Sequence, residues 1–236
     1  MNTKRRQLLH ALALLPWAGL ISQPARADAG DLLKSISGPE AVQALRDSLE
    51  QGARKAIAKL GQENGYFADP KRKIGLPKNF TKAERFLRSM GYGKKVDDLV
   101  LAMNRAAETA APQAQTLVLD AVHKMTVNDA KGILTGGDNA ATEYFRKTTE
   151  GQLAETLMPV VKSVTEKSDL ARSYNALAGT LAKFGVKSEQ STIENYVNKK
   201  ALDGIYNCIG EEERSLRTNP TQYAGSLLGK VFGLLK

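Results

Sequence analysis

Asn104, Arg105 and Glu108 are the first residues along the sequence whose types and spacing could do chemistry. Asn104 and Glu108 lie four residues apart, so on a helix they share a face, and that face borders an apolar stripe. Such polar groups form either the floor of a binding pocket or a buried hydrogen-bond network that fixes one helix against another. The pattern favours the network, and all three residues remain binding candidates.

A second candidate site lies in the turn-rich segment between residues 135 and 146. Gly136 and Gly137 can adopt the left-handed conformation that ends one helix and redirects the chain. Asp138 is predicted to cap the next helix by accepting its free N–H groups, which would leave no anion site there. The binding candidates of this corner are Gly136, Gly137, Asp138, Thr142, Tyr144 and Arg146.

Carboxylates supply the remaining candidate chemistry. Asp129 is a further binding candidate, although its spacing from Thr126 predicts a capping box. Glu108, Asp129 and Asp138 could do acid–base work if their environments split their pKa values, which is the basis of a hydrolase-like alternative. A third polar cluster, residues 200–203 with the acidic run 211–213, is predicted to be a solvated helix face.

The motifs of the common enzyme classes are missing from the sequence. It contains no HExxH, CxxC, GxSxG or Walker loop. After residue 27 it has one histidine, His123, and one cysteine, Cys208, which excludes a His-rich metal site and an internal disulfide. His123 is expected at the border of an apolar stripe and Cys208 inside one. We therefore assign no catalytic residue, no metal and no cofactor, and an enzyme is the less favoured interpretation.

Residues 1–27 have the pattern of a cleaved signal peptide. Three basic residues at positions 4–6 precede a short apolar run over residues 8–21, and Ala25-Arg26-Ala27 gives the small-x-small end. The basic start resembles a twin-arginine export signal, and ordinary Sec export is the alternative. Both routes predict an exported protein.

Removal of this leader changes the net charge. The whole chain has 34 basic and 25 acidic residues, a formal charge of +9. The leader holds four of the basic residues and none of the acidic ones, which leaves 30 against 25, or +5, in residues 28–236. Much of the net positive charge therefore lies in the leader, where it serves targeting, and no nucleic-acid partner is predicted.

Residues 28–236 are predicted to form one all-α domain of about nine or ten helices. Apolar residues recur with the 3.6-residue period of a helix, and no stretch alternates with the period of two that marks a strand. Capping boxes, each before an apolar stripe, start at Ser37, Thr81, Thr126 and Ser191. A long loop is expected over residues 61–80, and residues 221–236 are expected to form an amphipathic C-terminal helix.

Three segments, residues 98–108, 125–138 and 200–204, resemble the bacterial family catalogued as domain of unknown function 4197. The middle segment, MTVNDAKGILTGGD, is long and distinctive, and the resemblance covers about residues 32–232. It implies an exported helical protein, mainly of Gram-negative bacteria, and hence a periplasmic location. It implies no activity and no catalytic residues.

These observations favour a non-enzymatic periplasmic protein that binds a protein partner or a small apolar ligand. The alternatives are the carboxylate-based enzyme and a peripheral membrane-surface protein. Membrane contact would use the C-terminal amphipathic helix and the basic loop Lys71-Arg72-Lys73. The C-terminal segment has only two charged residues, so docking on its own domain is favoured over membrane contact.

We predict that the exported chain begins at Asp28, because cleavage after a small-x-small end removes residues 1–27. The intact mass of the periplasmic protein should correspond to residues 28–236. Trp17 is the only tryptophan, so this protein should show no tryptophan fluorescence. A full-length product in the cytoplasm would contradict the prediction.

Overall fold

A computed structural model describes residues 38–78, 81–169, 171–172, 174–175 and 192–219, and these ranges contain no β-strand. The all-α prediction is confirmed for this part of the chain. The leader, the C-terminal segment 221–236 and most of a further apolar stripe of helical period, residues 170–184, lie outside the described residues. The count of nine or ten helices therefore stays a prediction.

Seven α-helices follow one another along the described residues. They are α1 (Pro39–Leu60), α2 (Thr81–Leu87), α3 (Gly93–Ala110), α4 (Ala114–His123), α5 (Val127–Thr135), α6 (Ala140–Thr165) and α7 (Ile193–Thr218). A turn, Arg88–Tyr92, joins α2 to α3, and a 3₁₀ turn, Ala111–Gln113, joins α3 to α4. None of these helices is both long enough and apolar enough to span a bilayer.

The core lies where the two longest helices, α6 and α7, pack along each other. Helix α3 packs on both of them, while α1 packs on α7 and α4. The apolar stripes of the sequence form this core: Leu45, Ile57, Met103, Phe145 and Ile205 are all essentially inaccessible to water. The helical periodicity therefore identified the buried faces correctly.

Cys208 and His123 have the environments expected of them. Cys208 is buried, its thiol faces the Ala56 carbonyl oxygen at 3.7 Å, and burial raises its pKa. His123 is exposed, with its Nε2 3.2 Å from a carboxylate oxygen of Glu50. Hydrogen bonds from Arg54 and His123 hold the pKa of Glu50 below its ordinary value.

Of the four predicted capping residues, one is confirmed and three are displaced by one residue; one of the three is Thr81, which is the first residue of α2 and not its N-cap. The capping box of Thr126 and Asp129 is present at α5. Helix α1 starts at Pro39 with Gly38 as N-cap, because proline fits the first helical position. Helix α7 is capped by Thr192, whose side chain accepts the Asn195 N–H at 3.2 Å. The caps predicted at Ser37 and Ser191 are therefore each displaced by one residue.

Pro159 lies inside α6 and does not break it, since the helix continues to Thr165. Proline removes one backbone hydrogen bond from a helix. Its neighbours Leu157 and Val161 are fully buried against the rest of the domain. We infer that this packing compensates for the missing bond.

The loop after α1 is fixed to α3 by Asn104. The side-chain Oδ1 of Asn104 accepts the Ile74 N–H at 2.8 Å, and its Nδ2 donates to the Ile74 carbonyl oxygen at 2.8 Å. Nδ2 also donates to the Val100 carbonyl oxygen at 2.7 Å. A buried network was expected here between two helices, but it joins a helix to a loop. Both polar groups of Ile74 are satisfied in this way.

We expect Asn104→Leu to lower the free energy of unfolding by about 1–3 kcal/mol, because it leaves the Ile74 N–H and C=O buried without partners. Urea unfolding monitored by circular dichroism measures the change. Asn128→Leu is the matched control at an exposed site of α5 and should change stability by less than about 0.5 kcal/mol. Equal losses in the two variants would contradict the role of Asn104.

Candidate functional site

Glu108 and Arg105 hold the beginning of the loop that follows α1. Glu108 is buried, and its Oε1 accepts the backbone N–H groups of Tyr66 and Phe67 at 3.0 Å each. Its Oε2 is paired with Arg105. Arg105 also donates to Glu63 at 3.0 Å and lies 5.8 Å from the centre of the Phe67 ring. These two binding candidates are thus engaged in holding the backbone of the loop.

Tyr66 attaches the loop that follows α1 to α7. Its ring is buried, and its hydroxyl donates to the Ala201 carbonyl oxygen at 2.7 Å. Gly204 permits this contact, because a Cβ at that position would lie 2.3 Å from a ring carbon of Tyr66. The close approach brings the following residues of the loop, 69–72, beside the middle of α7.

Lys71 and Arg72 then reach an acidic residue of α7. Arg72 is buried and forms ion pairs with Asp69 and Glu211, while the exposed Lys71 lies 3.2 Å from Glu211. Burial by itself raises the pKa of Glu211, but the hydrogen bonds from Lys71 and Arg72 outweigh it and hold the pKa below its ordinary value. The side chain of Arg72 is therefore not available to a membrane surface, contrary to the expectation for this basic loop.

Asp129 has a local structural role at the start of α5. Its side chain accepts hydrogen bonds from the Thr126 N–H at 2.8 Å and the Thr126 hydroxyl at 2.7 Å. The hydroxyl and the N–H of Thr126 hold the pKa of Asp129 below its ordinary value. Asp129 therefore stabilises a helix end and has none of the cleft contacts described below.

The predicted left-handed turn after α5 is wrong. Gly136 has φ −81° and ψ 178°, which is extended backbone, and Gly91 is the only glycine with a positive φ among the described residues. Position 136 excludes a side chain for another reason, since a Cβ would lie 2.6 Å from the Gly132 carbonyl oxygen and 2.7 Å from the Ala140 Cβ. Gly137 has room for a Cβ.

Asp138 does not cap α6, contrary to the prediction. The helix starts at Ala140, its N-cap residue is Asn139, and Asp138 is exposed. Asp138 is therefore the residue before the N-cap, one position too early for the predicted role.

Glu213 of α7 caps α6 instead. Its two carboxylate oxygens accept the backbone N–H groups of Ala141 and Thr142 at 2.9 Å each, and the Thr142 hydroxyl donates to it at 2.7 Å. Glu213 is only 3% exposed, so the prediction of a solvated acidic run is wrong at this residue. The N-terminus of α6 thus already holds a negative charge, which complements the helix dipole.

Arg217 completes this cap. It donates to Glu213 from Nε at 3.2 Å and from Nη2 at 2.9 Å, and Nη2 also donates to the Ile133 carbonyl oxygen at 2.9 Å. The pair therefore joins the end of α5, the start of α6 and the last turns of α7. We call the set Glu213, Arg217, Ala141 and Thr142 the buried cap.

A cleft opens beside the buried cap, between the start of α6, the middle of α7 and the loop that follows α1. Its volume is about 550 Å³, and seven of its twelve lining residues are charged. The lining residues are Lys71, Arg72, Asp138, Asn139, Thr142, Glu143, Arg146, Tyr206, Asn207, Gly210, Glu211 and Arg214. We call it the α6–α7 cleft.

Arg146 lies in this cleft on an aromatic surface. Its guanidinium carbon is 4.5 Å from the centre of the Tyr206 ring, and its Nη1 lies 3.1 Å from Glu150 and 3.5 Å from Asp203. The Tyr206 hydroxyl is fixed by Thr149 at 2.9 Å. The guanidinium group is held in one plane while about a third of the side chain stays exposed.

Asp138, Thr142 and Arg146 are the sequence-predicted candidates that the structure brings to this cleft. Tyr144 is directed elsewhere, since its hydroxyl donates to the Ala121 carbonyl oxygen at 2.9 Å and fastens α6 to α4. Glu108, Asp129 and Asp138 belong to three different settings: a loop anchor, a helix cap and the cleft. The structure thus does not unite the three carboxylates of the enzyme alternative.

The sequence analysis did not identify Tyr206, Arg214 or Glu213 as site residues. For Glu213 alone, the sequence contains a pattern that could have identified it. Glu213 lies four residues after Ile209 and three before Leu216, so a carboxylate interrupts an apolar stripe at helical spacing. Such a position predicts burial with a partner. Tyr206 and Arg214 lack a comparable signal, because their importance depends on the loop that packs across α7.

The described residues offer no group of three or more His, Cys, Asp or Glu side chains that could hold a metal ion.

A family model described as "Protein of unknown function (DUF4197)" matches residues 35–233 of the chain. No curated protein and no solved structure matches it.

We expect Glu213→Ala to lower the free energy of unfolding by about 3 kcal/mol or more, because it leaves Arg217 and two backbone N–H groups buried without their partner. Asp138→Ala is the matched control and should cost less than about 0.5 kcal/mol, as is usual for an exposed residue. Chemical denaturation of the two variants measures the difference. A larger loss of unfolding free energy in Asp138→Ala than in Glu213→Ala would contradict this account and support the N-cap that the sequence predicted at Asp138.

Proposed function

The chain belongs to the DUF4197 family, and we propose that it is an exported, non-enzymatic binding module of the periplasm. In this proposal residues 1–27 are a signal peptide, and residues 28–236 form one helical domain of nine or ten helices. The leader pattern and the resemblance to exported proteins of Gram-negative bacteria support the location. The absence of catalytic motifs from the sequence supports a binding role.

The α6–α7 cleft is the observation that carries the binding proposal. It combines an open cavity with a guanidinium group held against an aromatic ring, an arrangement that suits anions with two neighbouring oxygens, such as carboxylates and phosphates. Arg214 is exposed at the same cleft and has no ion pair among the described residues. We propose that Arg146 and Arg214 bind an anionic group of the ligand.

The charged lining favours a polar ligand over a small apolar one. Arg72 is buried between Asp69 and Glu211, and Glu211 also pairs with Lys71. Arg146 is paired with Glu150 and Asp203, but about a third of its side chain stays exposed to a ligand, and Arg214 is exposed as well. We expect the ligand to bind these side chains and not the N-terminus of α6, because the carboxylate of Glu213 already occupies the anion position there. Asp138 and Glu143 lie on the same lining and can take a positive group of that ligand.

The hydrolase-like alternative has less support. Glu108 is committed to two backbone N–H groups and Asp129 to its own helix end. Asp138 lies in the cleft without either of them. A carboxylate pair that divides acid and base roles needs both groups within reach of one substrate. The binding proposal requires no such pair.

We expect the periplasmic protein to retain a bound species that native mass spectrometry detects as added mass. The double variant Arg146→Gln/Arg214→Gln should lose that mass while keeping the helical circular-dichroism spectrum of wild type, because both side chains are partly or fully exposed. The matched control is Arg172→Gln, beyond the far end of α6, where Thr165 lies about 29 Å along the helix from Arg146.

Two results would contradict the proposal. One is a wild-type protein that carries no added mass when it is purified gently from periplasm. The other is a double variant that keeps the added mass seen in wild type. Loss of the mass in the control alone would place the ligand near the far end of α6.

A further inference from the structure

Exposed apolar side chains are concentrated in one short segment at the start of α3. Five large apolar residues are exposed in the described part of the chain, and three of them lie between residues 86 and 92. Phe86, Met90 and Tyr92 are 64%, 59% and 47% exposed. We call residues 81–95 the tip hairpin; it comprises α2, the turn Arg88–Tyr92 and the first residues of α3.

The geometry of the tip hairpin gathers these side chains into one patch. Phe86 and Met90 are four residues apart on continuous helical backbone, so they share a face. Gly91 has φ +85°, which lets the chain turn sharply before Tyr92. Helix α2 and the turn Arg88–Tyr92 pack chiefly on each other and on α3. The patch is therefore carried on a small projection away from the core.

Basic residues flank the patch. Residues 78–98 contain six basic and three acidic residues, an excess of three positive charges. The side chain of Lys94 is 86% exposed, and Lys95 lies 5.5 Å from the centre of the Tyr92 ring. Lys94 pairs with Asp98 and Arg88 with Asp97, but exposed pairs of this kind are weak and exchange readily for other anions.

We infer that the tip hairpin docks the protein on a bilayer that contains anionic lipids. Phe86 and Met90 enter the boundary between headgroups and acyl chains, where short apolar side chains gain free energy by leaving water. Tyr92 lies at headgroup level, which suits a ring with a polar end. The surrounding lysines and arginines bind the lipid phosphates.

The small size of the patch favours a membrane over a protein partner. A stable protein interface buries about 800 Å² on each side around a packed apolar centre. Three apolar side chains on a projecting turn are too few for that, but they match what an interfacial anchor requires. The inference is independent of the α6–α7 cleft, to which the tip hairpin contributes no lining residue.

Vesicle co-sedimentation of the full exported chain tests this inference. The probes are vesicles of phosphatidylcholine alone and of phosphatidylcholine with phosphatidylglycerol, each at low and high salt. We expect binding to the anionic vesicles that weakens with salt. Phe86→Ser/Met90→Ser should reduce the binding on the order of tenfold, since it removes the apolar anchor.

Val127→Ser is the matched control, because Val127 is 49% exposed on α5, outside the tip hairpin. It should bind vesicles as wild type does, and all variants should keep the melting temperature of wild type. Absence of wild-type binding to anionic vesicles would overturn the inference. So would undiminished binding by Phe86→Ser/Met90→Ser, or a change of oligomeric state in that variant, which would make the patch a contact between copies of the chain.

Discussion

The buried carboxylate of Glu213 accepts the first free N–H groups of α6, and the arrangement of the two longest helices depends on it. Those N–H groups have no acceptor within their own helix. Arg217 balances the charge and ties the same group to the end of α5. A cap supplied from a distant helix fixes where α6 starts, and with it the position of Thr142 and Arg146 on the wall of the cleft.

The opposite wall of the α6–α7 cleft also depends on buried side chains that hydrogen-bond to backbone groups. Glu108 of α3 accepts two backbone N–H groups of the loop that follows α1, and Asn104 satisfies both polar groups of Ile74. A long loop without secondary structure can lie across a domain only if its backbone groups are satisfied. Side chains that sequence reasoning offered as ligand contacts thus serve to bring Lys71 and Arg72 to α7, where the cleft forms.

Local physics made the helices predictable, and long-range pairing made the site hard to predict. The stripes that bury Leu45, Ile57 and Ile205 follow from a 3.6-residue period, and the capping box at Thr126 involves residues three apart. Glu213 and Ala141 are 72 residues apart, and no spacing rule relates them. A local cap at Asp138 was therefore the natural expectation. It was wrong because Glu213 of α7 accepts the N–H groups at the start of α6 instead. Arg146 was found as a candidate, whereas the ring beneath it was not.

Amide hydrogen exchange of Ala141 and Thr142 tests most directly whether Glu213 caps α6. Their N–H groups occupy the first turn, where amides normally exchange fast because they lack helical partners. The carboxylate predicts strong protection of both amides in wild type. Glu213→Gln keeps a single acceptor oxygen, so protection should be lost at one of the two amides. The amides of Val127 and Asn128, at the start of α5, serve as unprotected references. Fast exchange of Ala141 and Thr142 in wild type, at the rate of these references, would contradict the account.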